Sequence, residues 1–352
     1  MPVFKNATTY PCILRVSNNP LHNKPWVTNV NTLDFGSLSE YVKTNGGQLD
    51  QSKFDEGGWS LASSKSQLVL EKISFDAISL GKYVNERIYY GIKTGLNEAF
   101  VISKELRNEF IKKDPKVEDL IKPFVIGREL KRFKKIIPNQ FLILIPKGWT
   151  NKHKVGHAWK WFESTYPTLA AHFIAYEHKA SKRTDKGEYW WELRVCEYYD
   201  EFEQSKILYP NICKKPEFTY DQDKFYTNQK CFIISKNDKY LLGILNSSIM
   251  MFFFRTTIPK LRGDFYEPGY VFMKNFPVHK IDYANPTEVE QHNRMVSLVE
   301  RMLDLQKREP QTPQEADNIQ RQIAATDAAI DKLVYELYGL TEEEIKIVEG
   351  ES

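Results

Sequence analysis

Ten lysines and arginines fall between Ile121 and Lys160, against a single acidic residue, Glu129. Five of them, Arg128, Lys131, Arg132, Lys134 and Lys135, crowd into eight positions just ahead of an apolar run, Phe141 to Ile145. Trp149, Trp159 and Trp161 follow, among Lys152, Lys154, His153 and His157. Cations interleaved with flat rings are the equipment for meeting a polyanion, because ammonium and guanidinium groups neutralise phosphates while aromatic faces stack. The local excess of nine positive charges is three times the +3 carried by all 352 residues. A solvated basic face has the same composition and is the alternative reading.

Other chemistries find little support. Neither G-x-G-x-x-G nor G-x-x-x-x-G-K-[ST] occurs, so no glycine loop is set to cradle a dinucleotide or a triphosphate. No Pro-Pro dipeptide occurs, so the Asn-Pro-Pro-aromatic site of an exocyclic-amine methyltransferase is not in this sequence. Asp114, Glu118 and Lys122 imitate the acidic pair and lysine of a metal-dependent nuclease, but they lie in a lysine-rich helical segment whose alternating charge normally marks solvent. His153 and His157 stand four apart in HKVGH, where Gly156 makes a poor helix, and phosphate contact or plain exposure fits them better than a metal. Cys12, Cys196, Cys213 and Cys231 form no CxxC pair, which fits reduced cysteines in a cytoplasmic protein. No apolar run reaches the roughly 18 residues of a membrane span, and the amino terminus lacks the pattern of a signal peptide.

The elements that must carry the basic segment divide the chain in three. Residues 1–86 read as mixed structure, with a capped helix at Ser37/Glu40 that stops at Asn45-Gly46-Gly47, and a second helix beginning near Leu68. Residues 87–280 are rich in short strands. Arg87 to Ile92 and Ala99 to Ile102 are predicted as two strands joined by a turn, with further strands at Phe141–Ile145, Lys206–Leu208 and Cys231–Ser235. Helices are predicted near Tyr166–Ala180 and from Asp238 to Phe254. Strands and helices alternate without a βαβ rhythm, which predicts an α+β fold, a twisted and mainly antiparallel sheet with flanking helices. Residues 281–352 are helical and acidic, with seven basic against sixteen acidic residues. Thr287/Glu290 and Thr312/Glu315 mark helix starts, and Ile319, Ile323, Thr326, Ile330, Leu333 and Leu337 recur at spacings of 4, 3, 4, 3 and 4. That seam makes a helical hairpin packed on itself, or a coiled coil.

Several segments, in register over most of residues 87–349, resemble the target-recognition domain of type IIG restriction-modification enzymes, the TaqI-like specificity domain. They are GIKTGLNEAF (Gly91–Phe100), KPFVIGRELKRF (Lys122–Phe133), YWWELR (Tyr189–Arg194), KILYPNI (Lys206–Ile212), LLGILNSS (Leu241–Ser248) and the tail DKLVYELYGLT (Asp331–Thr341). Val3 to Tyr10 is similar to the closing part of the adenine methyltransferase domain that precedes such modules. The resemblance implies the carboxy-terminal part of a longer enzyme: residues 1–86 the tail of a methyltransferase domain and linker, 87–280 the DNA target-recognition domain, 281–352 the helical region. It implies a parent that methylates adenine with S-adenosylmethionine and, in many relatives, cuts DNA with a magnesium-dependent nuclease, while this chain itself holds no catalytic residue, cofactor or metal. Related architecture also occurs in phage-exclusion methyltransferases.

The implied partners are double-stranded DNA and the methyltransferase domain of the same parent. Lys131, Lys134, Lys135, Lys152 and Lys154 are then the expected phosphate contacts. Arg128, Arg132, Lys93, Asn97, Lys182, Arg183 and Arg262 are the expected base or groove-edge contacts, since Arg and Asn present two-pronged geometry to guanine and adenine. Thr94-Gly95-Asn97 reads equally as a plain turn, Trp190 and Trp191 as core, and Arg262-Gly263-Asp264 as a loop salt bridge. The competing reading is a non-catalytic interaction module that docks through its C-terminal helices.

Overall fold

The computed structural model describes residues 11–350 apart from 17, 19–23, 31, 52–53, 56–57, 60–63 and 155, so the Val3–Tyr10 segment lies outside the described residues. The chain forms two compact units. One comprises Arg87–Asn211 with Glu217–Asp238, and the other Met1–Glu86, Ile212–Pro216 and Lys239–Ser352. Residues 239–280 thus pack with the helical ending rather than with the strands that begin at Arg87.

The unit that starts at Arg87 holds two four-stranded sheets. Its strands are β1 (Ile88–Tyr90), β2 (Val101–Ser103), β3 (Ile121–Val125), β4 (Gln140–Ile143), β5 (Lys206–Pro210), β6 (Thr219–Asp221), β7 (Tyr226–Thr227) and β8 (Cys231–Ile234). One sheet runs β6-β5-β8-β1, antiparallel throughout, and the other β7-β3-β4-β2, antiparallel except for the β7/β3 pair. The α+β class and mainly antiparallel pairing agree with the sequence reading. β1 and β2, expected as partners, belong to different sheets. Asn97–Phe100 between them is a helical turn that buries Ala99 and Phe100, because Phe100 packs on Phe173 at 5.1 Å.

Pro123 conceals β3 from a reading of propensities, since proline removes a ladder donor. β7 begins pairing with β3 only at Phe124, so Pro123 stands where no strand covers it on that side. The predicted Tyr166–Ala180 helix is two shorter ones, Pro167–Ile174 and Glu177–Ser181. Phe162, Phe173, Trp191, Leu208 and Ile233 close the core of this unit. Within it lies an ion pair, Lys206 with Asp221 at 2.6 Å, neither side chain exposed at all. Burial pushes the Lys206 ammonium down and the Asp221 carboxyl up from their ordinary values. The pair is tolerable because it is fully bonded: Lys206 also donates to the Phe202 and Gln204 carbonyls, and Asp221 accepts from the Asp223 and Phe225 N–H groups.

The other unit is mostly helical. Helix Leu38–Asn45 is capped by Ser37 as its sequence requires, and helix Ser64–Ser74 covers the start expected near Leu68. The predicted Asp238–Phe254 helix breaks into Lys239–Leu245 and Ser248–Thr257, where Asp331 accepts from both the N–H and the hydroxyl of Ser248. Helix Pro286–Leu305 starts two residues earlier than Thr287/Glu290 implied, because Asn285 caps it and Pro286 fills the first position, whose N–H needs no partner. Helix Pro313–Leu337 packs against it, burying Ile319, Thr326, Ile330, Leu333 and Leu337 of the heptad seam inside the unit. Tyr338 then ties the tail to the strand Pro277–His279, its hydroxyl donating to the Pro277 carbonyl and accepting from the His279 N–H. Among the described residues, no helix is long and apolar enough to cross a membrane.

Candidate nucleic-acid interface

The basic segment leaves β3 through a short 3-10 turn, Gly127–Glu129, closed by the Glu129 carboxylate accepting from the Ile126 N–H. Beyond it the chain is irregular yet anchored. Leu130, Phe133 and Ile136 are buried, the Phe133 N–H donates to the Phe218 carbonyl, and the Thr219 hydroxyl donates to the Lys131 carbonyl. Phe133 adopts φ +59°, a left-handed conformation that costs a side chain about 1–2 kcal/mol. Burying its ring contributes about 1.5–3 kcal/mol, so packing outweighs the strain and holds the turn.

The apolar side chains point in, and the cations between them point out. Arg128, Lys134 and Lys135 are exposed and, among the described residues, unpaired. Lys131 pairs with Glu217 at 2.8 Å, and the Arg132 guanidinium lies over the Phe133 ring.

Lys152 and Lys154 sit on a second loop, at the 3-10 turn Thr150–His153, where they too are exposed and unpaired among the described residues. What positions that loop is Glu192, which the sequence reading passed over. Its fully buried carboxylate accepts from the Gly148, Thr150, Glu188 and Tyr189 N–H groups. Trp191 is buried and donates to the Thr150 hydroxyl, while Trp190 packs on Trp159, so both tryptophans serve packing. His153 stacks on Trp161 at 4.4 Å.

The remaining candidates meet a different fate. Lys93 pairs with Asp185 at 2.7 Å, and Arg194 reaches the same carboxylate at 3.3 Å. Asn97 accepts the Thr94 hydroxyl within its own turn. Lys182 donates to His178 on the same helix face. Arg183 corrects the reading outright. It is 8% exposed, lies over the Phe100 ring, and donates to the carbonyls of Thr94, Ala180, Asp185, Trp190 and Glu192. Burial lowers its pKa to about 10. A guanidinium spent on five carbonyls ties loops together and offers nothing to a base edge. Arg262 is exposed at the tip of the Lys260–Leu261/Phe265–Tyr266 hairpin, in the other unit. Asp114, Glu118 and Lys122 are engaged separately, with the Lys116 N–H, Arg107 and Glu203.

Two glycines gather the loops that remain. A Cβ on Gly91 would overlap the Asn228 carbonyl, and one on Gly127 would lie 2.8 Å from the Lys230 carbonyl. Both recognition-like segments, Gly91–Phe100 and Lys122–Phe133, therefore rest on one turn, Asn228–Lys230, between β7 and β8. An Asx bond from the Lys230 N–H to the Asn228 side chain and a Cys231 N–H bond to the Asn228 carbonyl close that turn. Nothing in composition pointed to it. The asparagine two residues ahead of Lys230, between apolar strands, was the signal.

Residues 122–278 match the TaqI-like C-terminal specificity domain. Among solved structures, the type IIL restriction-modification enzyme MmeI in complex with DNA shares the fold, with a TM-score of 0.53 and 14% identity over 73% of this chain and 33% of that one. The type IIG restriction endonuclease BpuSI aligns with a TM-score of 0.42 and 13% identity over 84% of this chain and 36% of that one. The chain thus spans about a third of the length of these enzymes. No curated protein matches it.

Proposed function

From a chain whose residues 122–278 match a specificity domain of restriction-modification enzymes, we propose a module that reads the sequence of double-stranded DNA. The carrying observation is that match, together with five exposed cations, Arg128, Lys134, Lys135, Lys152 and Lys154, borne by loops inside it and without a partner among the described residues. Phosphate contacts set the register of a protein on a duplex, while a few side chains address base edges. Rigidly based loops with outward cations suit the first task.

In this reading the chain supplies address and not reaction. Its partner is an adenine methyltransferase domain of the same parent, which uses S-adenosylmethionine, with magnesium where a nuclease is fused. Methylating an adenine requires it to leave the stack at a cost of a few kcal/mol. Contacts made only at the right sequence would offset that cost.

The test is electrophoretic mobility shift of the purified chain with a panel of unrelated duplexes at 50 and 200 mM salt. Binding that weakens steeply with salt and differs among duplexes is the expected result. Absence of duplex binding even at the lower salt refutes the proposal. The alternative, docking through the C-terminal helices, loses ground because the Pro313–Leu337 seam is already buried against Pro286–Leu305.

A further inference from the structure

The turn Asn228–Lys230 has no role in what precedes except as the surface against which two glycines press. Its geometry allows more. Gly91 and Gly127 lie so close to its backbone that no other residue type fits at either position without displacing it. The turn is also fastened from within by the Asx bond at 3.1 Å, and the adjoining chain by the Asn211 N–H donating to the Lys230 carbonyl at 2.8 Å. A three-residue turn held from both flanks fixes where its side chains emerge, so that binding has only their own rotamers left to order.

Those side chains are Gln229 and Lys230, both exposed, and neither has a partner among the described residues. Gln229 lines a cleft of about 370 Å³ whose other walls include Tyr90, Lys93, Arg194 and Tyr198. Lys93 and Arg194 share the carboxylate of Asp185, and Glu197 lines the same cleft, so charge on that wall is balanced and the exposed cation beside Gln229 is Lys230. A carboxamide is the side chain that offers a donor and an acceptor together, matching N7 and the exocyclic amine of adenine in the major groove.

Building on the proposed DNA-reading role, we propose that the Asn228–Lys230 turn is a specificity element of the interface. Gln229 addresses an adenine, and Lys230 binds the phosphate beside it. The two glycine-bearing loops are the splints that hold the turn in place, and the base reader sits outside the dense basic segment.

The experiment selects duplexes from a randomised library with the unaltered chain, Gln229→Ala and Lys230→Ala, and sequences what each retains. The unaltered chain is expected to enrich adenine at a position that Gln229→Ala leaves free. Discrimination at that position should fall roughly 5- to 150-fold, with the other positions unchanged. Lys230→Ala should keep the selected sequence and flatten the logarithmic salt slope by about 0.9. Thermal melts of both variants should match the unaltered chain, since the side chains are exposed. If Gln229→Ala selects the same sequence as the unaltered chain, the inference fails while the DNA-reading role stands. If the unaltered chain retains no duplex, both fail together.

Discussion

Two loop regions of the strand-rich unit carry comparable numbers of cations and use them in opposite ways. Around Lys93, Arg183 and Arg194 the charges are consumed at home, on Asp185 and on five backbone carbonyls. Around Arg128, Lys134 and Lys135 they have no partner among the described residues, and buried Leu130, Phe133 and Ile136 between them do the anchoring instead. A basic residue count cannot tell these apart. The difference lies in what holds each loop. Where cations are the glue they are spent inside the fold, and where apolar side chains are the glue the cations stay exposed.

The comparison breaks most visibly at its buried end. Lys206→Met should strand the Asp221 carboxylate and cost about 3–5 kcal/mol, while adding Asp221→Leu should return most of that, measured by urea unfolding. Arg183→Met is expected to cost at least about 3 kcal/mol, at roughly 1–3 kcal/mol for each carbonyl left buried without a donor. If Arg183→Met unfolds at the same urea concentration as the unaltered chain, the guanidinium is not glue. At the exposed end, changing Lys134 and Lys135 together to alanine should shift stability by less than about 0.5 kcal/mol. The same pair should reduce the salt slope of duplex binding by about 1.8, equally for all sequences.

The smallest effect is a pH dependence. His172 Nε2 bonds the Ala99 carbonyl at 2.9 Å, and burial, only partly countered by that bond, holds the ring's pKa below the ordinary 6.5. The unfolded chain therefore binds more protons than the native one below that value. Stability contributed by the neutral ring is full above about pH 6.5 and is lost as pH falls towards the depressed native pKa. His172→Gln should thus narrow its gap in melting temperature to the unaltered chain as pH drops from 7 to 5. His279 titrates in the same direction and keeps part of the slope in both proteins.

What could be read from the chain was what is local. Helix caps at Ser37 and Thr312 each accept the N–H three residues on, a relation fixed by adjacent residues alone. The seam of Pro313–Leu337 was equally legible, because burial follows the helical period. Pairings were less so. β1 and β2 are neighbours in sequence but sit in separate sheets, and only long-range packing decides that. The site divides in the same way. Exposure of Lys134 and Lys135 follows from alternation with buried residues, whereas the burial of Arg183 depends on carbonyls from residue 94 to residue 192, which no window of sequence brings together. The Asn228–Lys230 turn escaped for the same reason, since its importance is conferred by Gly91 and Gly127.

The four N–H bonds to Glu192 bear on the order in which the chain acquires its shape. Thr150 lies 42 residues from that carboxylate, so the loop bearing Lys152 and Lys154 has no settled conformation until a long stretch of chain has looped back. It should be among the later parts to gain amide-exchange protection during refolding. An excised peptide of the loop would carry the same charges with no fixed spacing between them.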